Sequence, residues 1–439
     1  MTTGPASILP GPLARRGPRP LLLHLTLATL KSLGSPGGSS SWNADWTSSI
    51  VASLMSATSL MSAQGMPIQM PTPGIGALAG ADGDPAAPWR ESLRNNAGLI
   101  AGIAAYRRHP WTRDLPDPPA VWVEGETRLL DYGGDGPATP VLFVPSLVNR
   151  AYVLDLAPGH SMLRFLAGAG IRPLLLDWGW PGEVERRFTL TDYIAGRLER
   201  ALLEVNRLHG APPVLAGYCM GGNLAIGAAA RRPDLVRALA LLATPWDFHA
   251  DASGADGGGA DGGGANASGA ATAVARLLPL LEPLLGFNAT LPIDALQTLF
   301  TMLDPFGVGD KYRAFARLNP DSARAKRFVA LEDWLNDGVP LAAPVARECL
   351  SGWYGANTPG RGEWRVAGMA VDPTRLALPA FVAVPGRDRI VPPGSARPLA
   401  RLIPGAALHE PTAGHIGMVA GMGAEHALWR PLLDWLHSL

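Results

Sequence analysis

Between Val214 and Gly222 the chain reads Val-Leu-Ala-Gly-Tyr-Cys-Met-Gly-Gly, a short apolar run that ends in a Gly-x-Cys-x-Gly-Gly box. The helix-forming stretch Asn223–Ala230 follows at once. An apolar strand, a glycine-flanked turn and a helix in this order make a nucleophile elbow, here with cysteine at its tip. Gly217 and Gly221 carry no Cβ, so strand and helix can approach closely while Cys219 is held in a strained turn. In that position the sulfur lies at the positive end of the following helix, which favours thiolate. The amide of Met220 then points to where an oxyanion would form.

Other apolar runs repeat the pattern on either side. Ala120–Val123, Thr127–Leu130, Val141–Val144, Pro173–Asp177, Leu235–Leu242 and Phe381–Val384 read as strands. Trp89–Arg108, Ser161–Gly168 and Leu190–Leu208 read as helices between or before them. Fully apolar strands alternating with helical stretches predict a mostly parallel sheet covered on both faces, with ligands at the carboxyl ends of the strands.

Two later segments complete a constellation. After Phe381–Val384 comes Pro-Gly-Arg-Asp-Arg-Ile-Val-Pro-Pro, which places Asp388 in a turn at a strand end. Further on, Ala-Gly-His-Ile-Gly puts His415 on a glycine-flanked loop. The chain order Cys, Asp, His is that of the α/β-hydrolase triad, so an α/β-hydrolase fold is expected. Cys219 is then the nucleophile, His415 the base that takes its proton, and Asp388 the group that orients the imidazole. Asp177 and Asp247, also near strand ends, are the alternative acids. The second oxyanion donor is expected after Val141–Val144, from the amide of Leu147 or Val148. A thiol nucleophile suits exchange with thioesters, in which sulfur both attacks and leaves.

The same reading divides the chain into five regions. Residues 1–88 form an irregular N-terminal region with short helices and a linker, and 89–250 the first part of the core. Residues 251–272 are a Gly/Ala/Asp-rich insert without expected order, 273–370 a helical cap before the late strands, and 371–439 the rest of the core. Within the first region, Leu21–Leu33 reads as one helix, and a segment from Ser48 to Met70 carries Met55, Met61, Met66 and Met70. Arg15–Arg16 precede an apolar run that contains His24 and is followed by Lys31, with no small-residue cleavage pattern close behind. An amphipathic helix is therefore expected there in preference to an export signal. Formal charges balance at 37 basic and 37 acidic residues, which gives nucleic acid or an anionic surface no electrostatic purchase. Two cysteines, Cys219 and Cys349, make no disulfide framework and suit a reducing cytoplasm. No run of about 18 apolar residues is present, so no membrane span is expected. The pairs Arg107–Arg108, Arg186–Arg187 and Arg231–Arg232 are candidate phosphate binders, although such pairs are more often solvated surface.

From about Pro140 onward the sequence resembles the polyhydroxyalkanoate synthases, most closely the catalytic subunit of the short, two-component type. The resemblance rests on Leu147-Val148-Asn149-Arg150 with Asp155-Leu156, Leu176–Pro181, Leu190–Ile194, Gly217–Gly222 and Thr244–Phe248. It continues through Lys311-Tyr312, Glu332-Asp333-Trp334 with Asp337 and Pro340, Asp388–Pro393 and Gly414–Gly417. It implies polymerisation of (R)-3-hydroxyacyl-CoA with release of CoA, the growing polyester held as a thioester on Cys219 and His415 as base. Asp388 then orients the histidine or assists attack by the 3-hydroxyl. On the same motifs Asn149 and Tyr218 are candidate substrate contacts. The resemblance implies no metal or redox cofactor. It implies a homodimer or an accessory subunit, and a place in the cytoplasm on polyester granules. A thioesterase, esterase or polyester depolymerase of the same fold, and a non-catalytic granule-associated protein, are the competing readings.

Overall fold

The computed structural model describes residues 15–33, 87–133, 138–250, 274–302 and 307–439. The methionine-rich segment 48–70, the linker 74–84 and the insert 251–272 lie outside the described residues. Two compact units divide the chain, one made of Met1–Thr112 with Gln297–Val329, the other of Arg113–Leu296 with Ala330–Leu439. Residues 273–370, read as one cap, thus contribute to both.

In the first unit, helices Leu21–Leu33, Ala87–Arg108 and Gly307–Phe315 pack around Leu99, Ile103, Tyr106, Tyr312 and Phe315, together with Val329. Gly102 allows their closest approach, since a Cβ there would stand 2.0 Å from the Tyr312 carbonyl oxygen. Tyr106 meets Tyr312 edge to face at 5.7 Å, and Phe315 stacks on Phe328 at 4.2 Å. His24 is buried in this unit. One ring nitrogen, Nε2, lies 3.1 Å from the Arg19 carbonyl, whereas Nδ1 is buried without a partner. Burial, opposed by that bond and reinforced by Lys311, lowers its pKa to about 4. A second proton would put charge on a nitrogen with no acceptor.

The sign of the resulting pH dependence follows from the shift. The unfolded chain binds a proton on His24 below about pH 6.5 and the folded chain only below about 4, so stability falls as pH drops through that window. His24→Leu is expected to flatten this acid limb, by on the order of 3 kcal/mol between its ends. Urea midpoints at pH 7, 5.5 and 4.5 test it, and parallel limbs in both proteins would sink the assignment.

The second unit is built on eight strands, β1 (Ala120–Glu124), β2 (Thr127–Asp131), β3 (Thr139–Val144), β4 (Ile171–Asp177), β5 (Val214–Tyr218), β6 (Ala238–Leu242), β7 (Ala380–Ala383) and β8 (Ala407–His409). Their order in the sheet is β1-β2-β4-β3-β5-β6-β7-β8. β1 and β2 are antiparallel to each other and β2 is antiparallel to β4, while every pair from β4 to β8 is parallel. Every residue of β5, β6 and β7 is buried, as continuous apolar runs require in a sheet covered on both faces. The covering helices include α1 (Met162–Gly168), α2 (Glu199–His209) and α3 (Met220–Arg231). Ser161 caps α1 by accepting from the Arg164 amide, and Gly210, at φ 68°, closes α2.

Each strand read from the sequence is present, with β3 and β4 starting two residues earlier than read and β8 not among those expected, and two further local differences stand out. The helix read over Leu190–Leu208 is π-wound through Asp192–Leu198 before it becomes α2. The strand read from Leu235 starts at Ala238, because Pro233–Leu235 forms a 3-10 turn in which the Val236 amide bonds back to Pro233. β3 has β4 on one side and β5 on the other, so the chain reverses its direction of travel across the sheet there. The crevice at the carboxyl ends of β3 and β5 is the place such sheets use for ligands. Among the described residues no helix is long and apolar enough to cross a membrane.

Candidate active site

Cys219 follows β5 and caps α3, with φ 57° and ψ −131°. A side chain held there costs about 1–3 kcal/mol, so the surroundings must fix it. They do so at both ends: the Cys219 amide donates to the Leu242 carbonyl at 2.8 Å, and the Cys219 carbonyl accepts from Gly222 at 2.9 Å. The glycines explain themselves by what a Cβ would meet. At Gly217 it would lie 2.4 Å from Gly222 Cα, at Gly221 2.0 Å from the Val144 carbonyl oxygen, and at Gly222 1.8 Å from Thr244 Oγ1. The elbow is therefore wedged between β3 and the chain leaving β6. Gly221→Ala is expected to destabilise the fold by about 3 kcal/mol, because the atom it strikes is backbone. Its denaturant midpoint, measured against Gly210→Ala as a helix-end control, checks this.

Asp388 stands in the turn after β7 and His415 opens α4 (His415–Ala420), and both are buried. His415 Nδ1 lies 2.6 Å from Asp388 Oδ2. The other carboxylate oxygen accepts from the amides of Ile390 at 2.8 Å and Val391 at 2.9 Å. With Nδ1 committed to the carboxylate, Nε2 is the nitrogen left for Cys219. Burial alone would lower the His415 pKa. Negative charge on Cys219 and Asp388, with the bond to Asp388, overrides burial and raises it to about 10. The site thus makes His415 a strong base for a proton from Cys219.

The alternative acids are engaged elsewhere. Asp177 pairs with Arg128 at 2.6 Å and accepts from the Gly179 amide. Asp247 accepts from the His249 amide and from Asn357 Nδ2. Of the candidate oxyanion donors, the Met220 amide is the first of α3 and lies next to Cys219. Leu147 and Val148 follow β3, the neighbour of β5, so both loops leave the same end of the sheet. The Val148 amide lies 3.3 Å from Ser146 Oγ, whereas that of Leu147 has no partner among the described residues.

Tyr218, expected at the substrate, is only 4% exposed and packs instead on His415. Its ring centroid is 5.1 Å from the imidazole and its hydroxyl donates to the His415 carbonyl at 3.3 Å. Burial pushes the phenol far above its usual pKa, so it stays a neutral donor. Asn149 forms a single antiparallel bridge with Gly338 and keeps its Oδ1 buried without a partner. Tyr354, which no motif marked, lies close enough to Cys219 and Cys349 for burial and their charges together to raise its pKa. It sits on the π-wound turn Glu348–Gly355 with its ring 5.1 Å from Phe248. The paired arginines have internal partners: Arg107 donates to the Gly17 carbonyl, Arg187 pairs with Glu183, Arg231 with Glu199 and Arg232 with Asp234.

Comparison with known proteins adds to this geometry. Residues 139–260, which include β3 through β6 and the elbow, match the α/β hydrolase fold family. The chain is 29% identical to the poly(3-hydroxyalkanoate) polymerase subunit PhaC of Haloferax mediterranei, over 72% of this chain and 62% of that one. It is 28% identical to the subunit of the same name from Allochromatium vinosum, over 73% and 88% of the two chains. A third such subunit, from Synechocystis sp., is 29% identical over 68% and 77%. The chain thus spans less than two thirds of the Haloferax relative but most of the other two. With the strand order and the elbow, these matches give the chain the α/β-hydrolase fold and make it similar to the poly(3-hydroxyalkanoate) polymerase subunits.

Proposed function

We propose that this protein polymerises (R)-3-hydroxyacyl-CoA into polyester, with Cys219, His415 and Asp388 as its catalytic triad. The observation that carries the reading is the buried 2.6 Å contact between His415 and Asp388, with a cysteine at the tip of a strained elbow near enough for its charge to raise the same imidazole's pKa. His415 Nε2 takes the thiol proton and the thiolate attacks the thioester carbonyl. The oxyanion that forms lies against the amides of Met220 and Leu147. When the tetrahedral adduct collapses the carbon–sulfur bond to CoA breaks, and the departing thiolate recovers the proton from His415. The acyl group is now a thioester of Cys219. The 3-hydroxyl of an incoming unit then gives its proton to His415 and attacks that thioester, which forms one ester bond and frees the cysteine.

This chemistry uses a CoA thioester as substrate and asks for no metal or redox cofactor. A homodimer or an accessory synthase subunit, and a cytoplasmic site on polyester granules, belong to the same proposal. Asn149 lies beside the proposed oxyanion loop, within reach of a substrate contact there. Purified protein given (R)-3-hydroxybutyryl-CoA is expected to release CoA and deposit insoluble polyester. Release of CoA with only free hydroxy acid as the product would reassign the protein to the thioesterases.

A further inference from the structure

The loop after β3 is held from the far side by a segment distant in sequence. Trp334 lies in the last turn of the helix Ala323–Asn336, and its indole Nε1–H donates to the Arg150 carbonyl at 2.7 Å. The Val339 amide donates to the Val148 carbonyl at 3.3 Å, and Gly338 bridges Asn149 between them. Asp337 joins side chain to side chain: it accepts from the Tyr152 hydroxyl at 3.3 Å and lies 3.6 Å from Arg150 Nε. The Arg150 guanidinium is further fixed over the Trp180 ring at 5.6 Å. Four contacts, one of them closing the bridge, therefore tie Val148–Tyr152 to Trp334–Val339, all within the second unit. Trp334 is only 3% exposed, so its indole is held in place by packing as well as by the bond.

The loop so clasped begins with Leu147, whose amide is the proposed second oxyanion donor. An oxyanion donor is useful only when it is pre-set, because its strength lies in needing no reorganisation as charge develops. The loop leaves β3 through Pro145 and reaches the 3-10 turn Ala151–Leu154 only after Arg150, so Leu147 has no helix or ladder of its own to provide that. We infer that Trp334 and Asp337 are positioning residues for the oxyanion hole, the Trp334–Val339 segment serving as a clasp that fixes the Leu147 amide against Cys219. Neither residue touches the reacting atoms; both act through the loop.

The inference rests on the acyl-transfer reading only in requiring an oxyanion hole, and the test separates the two. Trp334→Phe keeps the buried ring and removes the donor. Two reactions of Cys219 are compared at one pH. Acylation by p-nitrophenyl acetate builds an oxyanion, whereas alkylation by iodoacetamide needs the thiolate alone. Trp334→Phe is expected to slow acylation about tenfold or more while leaving alkylation within about twofold of the parent. Asp337→Asn is expected to shift the ratio in the same direction by a smaller factor. Equal losses in both reactions would show a merely structural role, and no loss in either would show that the clasp does not set the donor. Both results overturn the inference. Parent protein that is acylated by p-nitrophenyl acetate yet inert to hydroxyacyl-CoA would instead overturn the synthase reading and leave the clasp standing.

Discussion

Cys219→Ala is expected to abolish acyl-enzyme formation and CoA release together, lowering turnover by on the order of 10⁴–10⁶ as loss of a triad nucleophile does. The elbow itself should survive, since the turn is fixed by backbone bonds from Leu242 and to Gly222 that alanine retains. The amides of Met220 and Leu147 also remain, but without a nucleophile they have no tetrahedral adduct to receive. No second thiol can substitute. Cys349 is buried, and that burial, reinforced by Glu348, pushes its thiol far above the usual range and leaves it inert. The check is intact-protein mass after a single turnover with (R)-3-hydroxybutyryl-CoA. An acyl adduct is expected on the parent and on Cys349→Ala, and none on Cys219→Ala. An adduct that persisted in Cys219→Ala would place the nucleophile elsewhere and dissolve the triad.

The parts of this site that the sequence reveals are those whose cause is local. Gly217, Gly221 and Gly222 crowd one turn because atoms about 2 Å from their missing Cβ positions leave no alternative, and such crowding prints itself as a motif. Asp388 and His415 are legible for a related reason, as the first sits in the turn after β7 and the second follows a glycine at the start of α4. What stays hidden is decided by packing between distant segments. Gln297–Val329 joins the N-terminal helices because Gly102 and Tyr312 meet across more than two hundred residues, and no periodicity encodes that meeting. Tyr218 misleads for the same reason. Its place beside the nucleophile suggests substrate, whereas its ring and hydroxyl are taken up by His415, almost two hundred positions away. Tyr354 reads in sequence as an ordinary aromatic of a helical region, and Trp334 with Asp337 as a motif whose task is not legible. Only the fold brings the first near Cys219 and the second to the loop after β3.

Asp388→Asn is the substitution in which this structure's own hydrogen bonds dictate the outcome. Two amides, from Ile390 and Val391, donate to one carboxylate oxygen, while His415 Nδ1 faces the other. In the asparagine variant the carbonyl oxygen must stay with the two N–H donors, because an amide nitrogen turned toward them would leave three groups with donors only. The Nδ2 then points at His415 and presents hydrogens to Nδ1. The imidazole can answer only by accepting at Nδ1 and carrying its proton on Nε2, which is the tautomer that cannot take a proton from Cys219. The variant also loses one of the negative charges that raise His415, and with it part of the basicity with which the imidazole draws the proton from Cys219. Acyl transfer is expected to fall by on the order of 10³–10⁴ with the fold intact. Iodoacetamide alkylation of Cys219 at neutral pH should slow as well, because the defect lies in forming the thiolate and not in the oxyanion hole. That separates it from Trp334→Phe, in which acylation alone is slowed. Near-parent acylation and alkylation in Asp388→Asn would mean that His415 needs no partner at Nδ1. The buried 2.6 Å contact would then be structural and not catalytic.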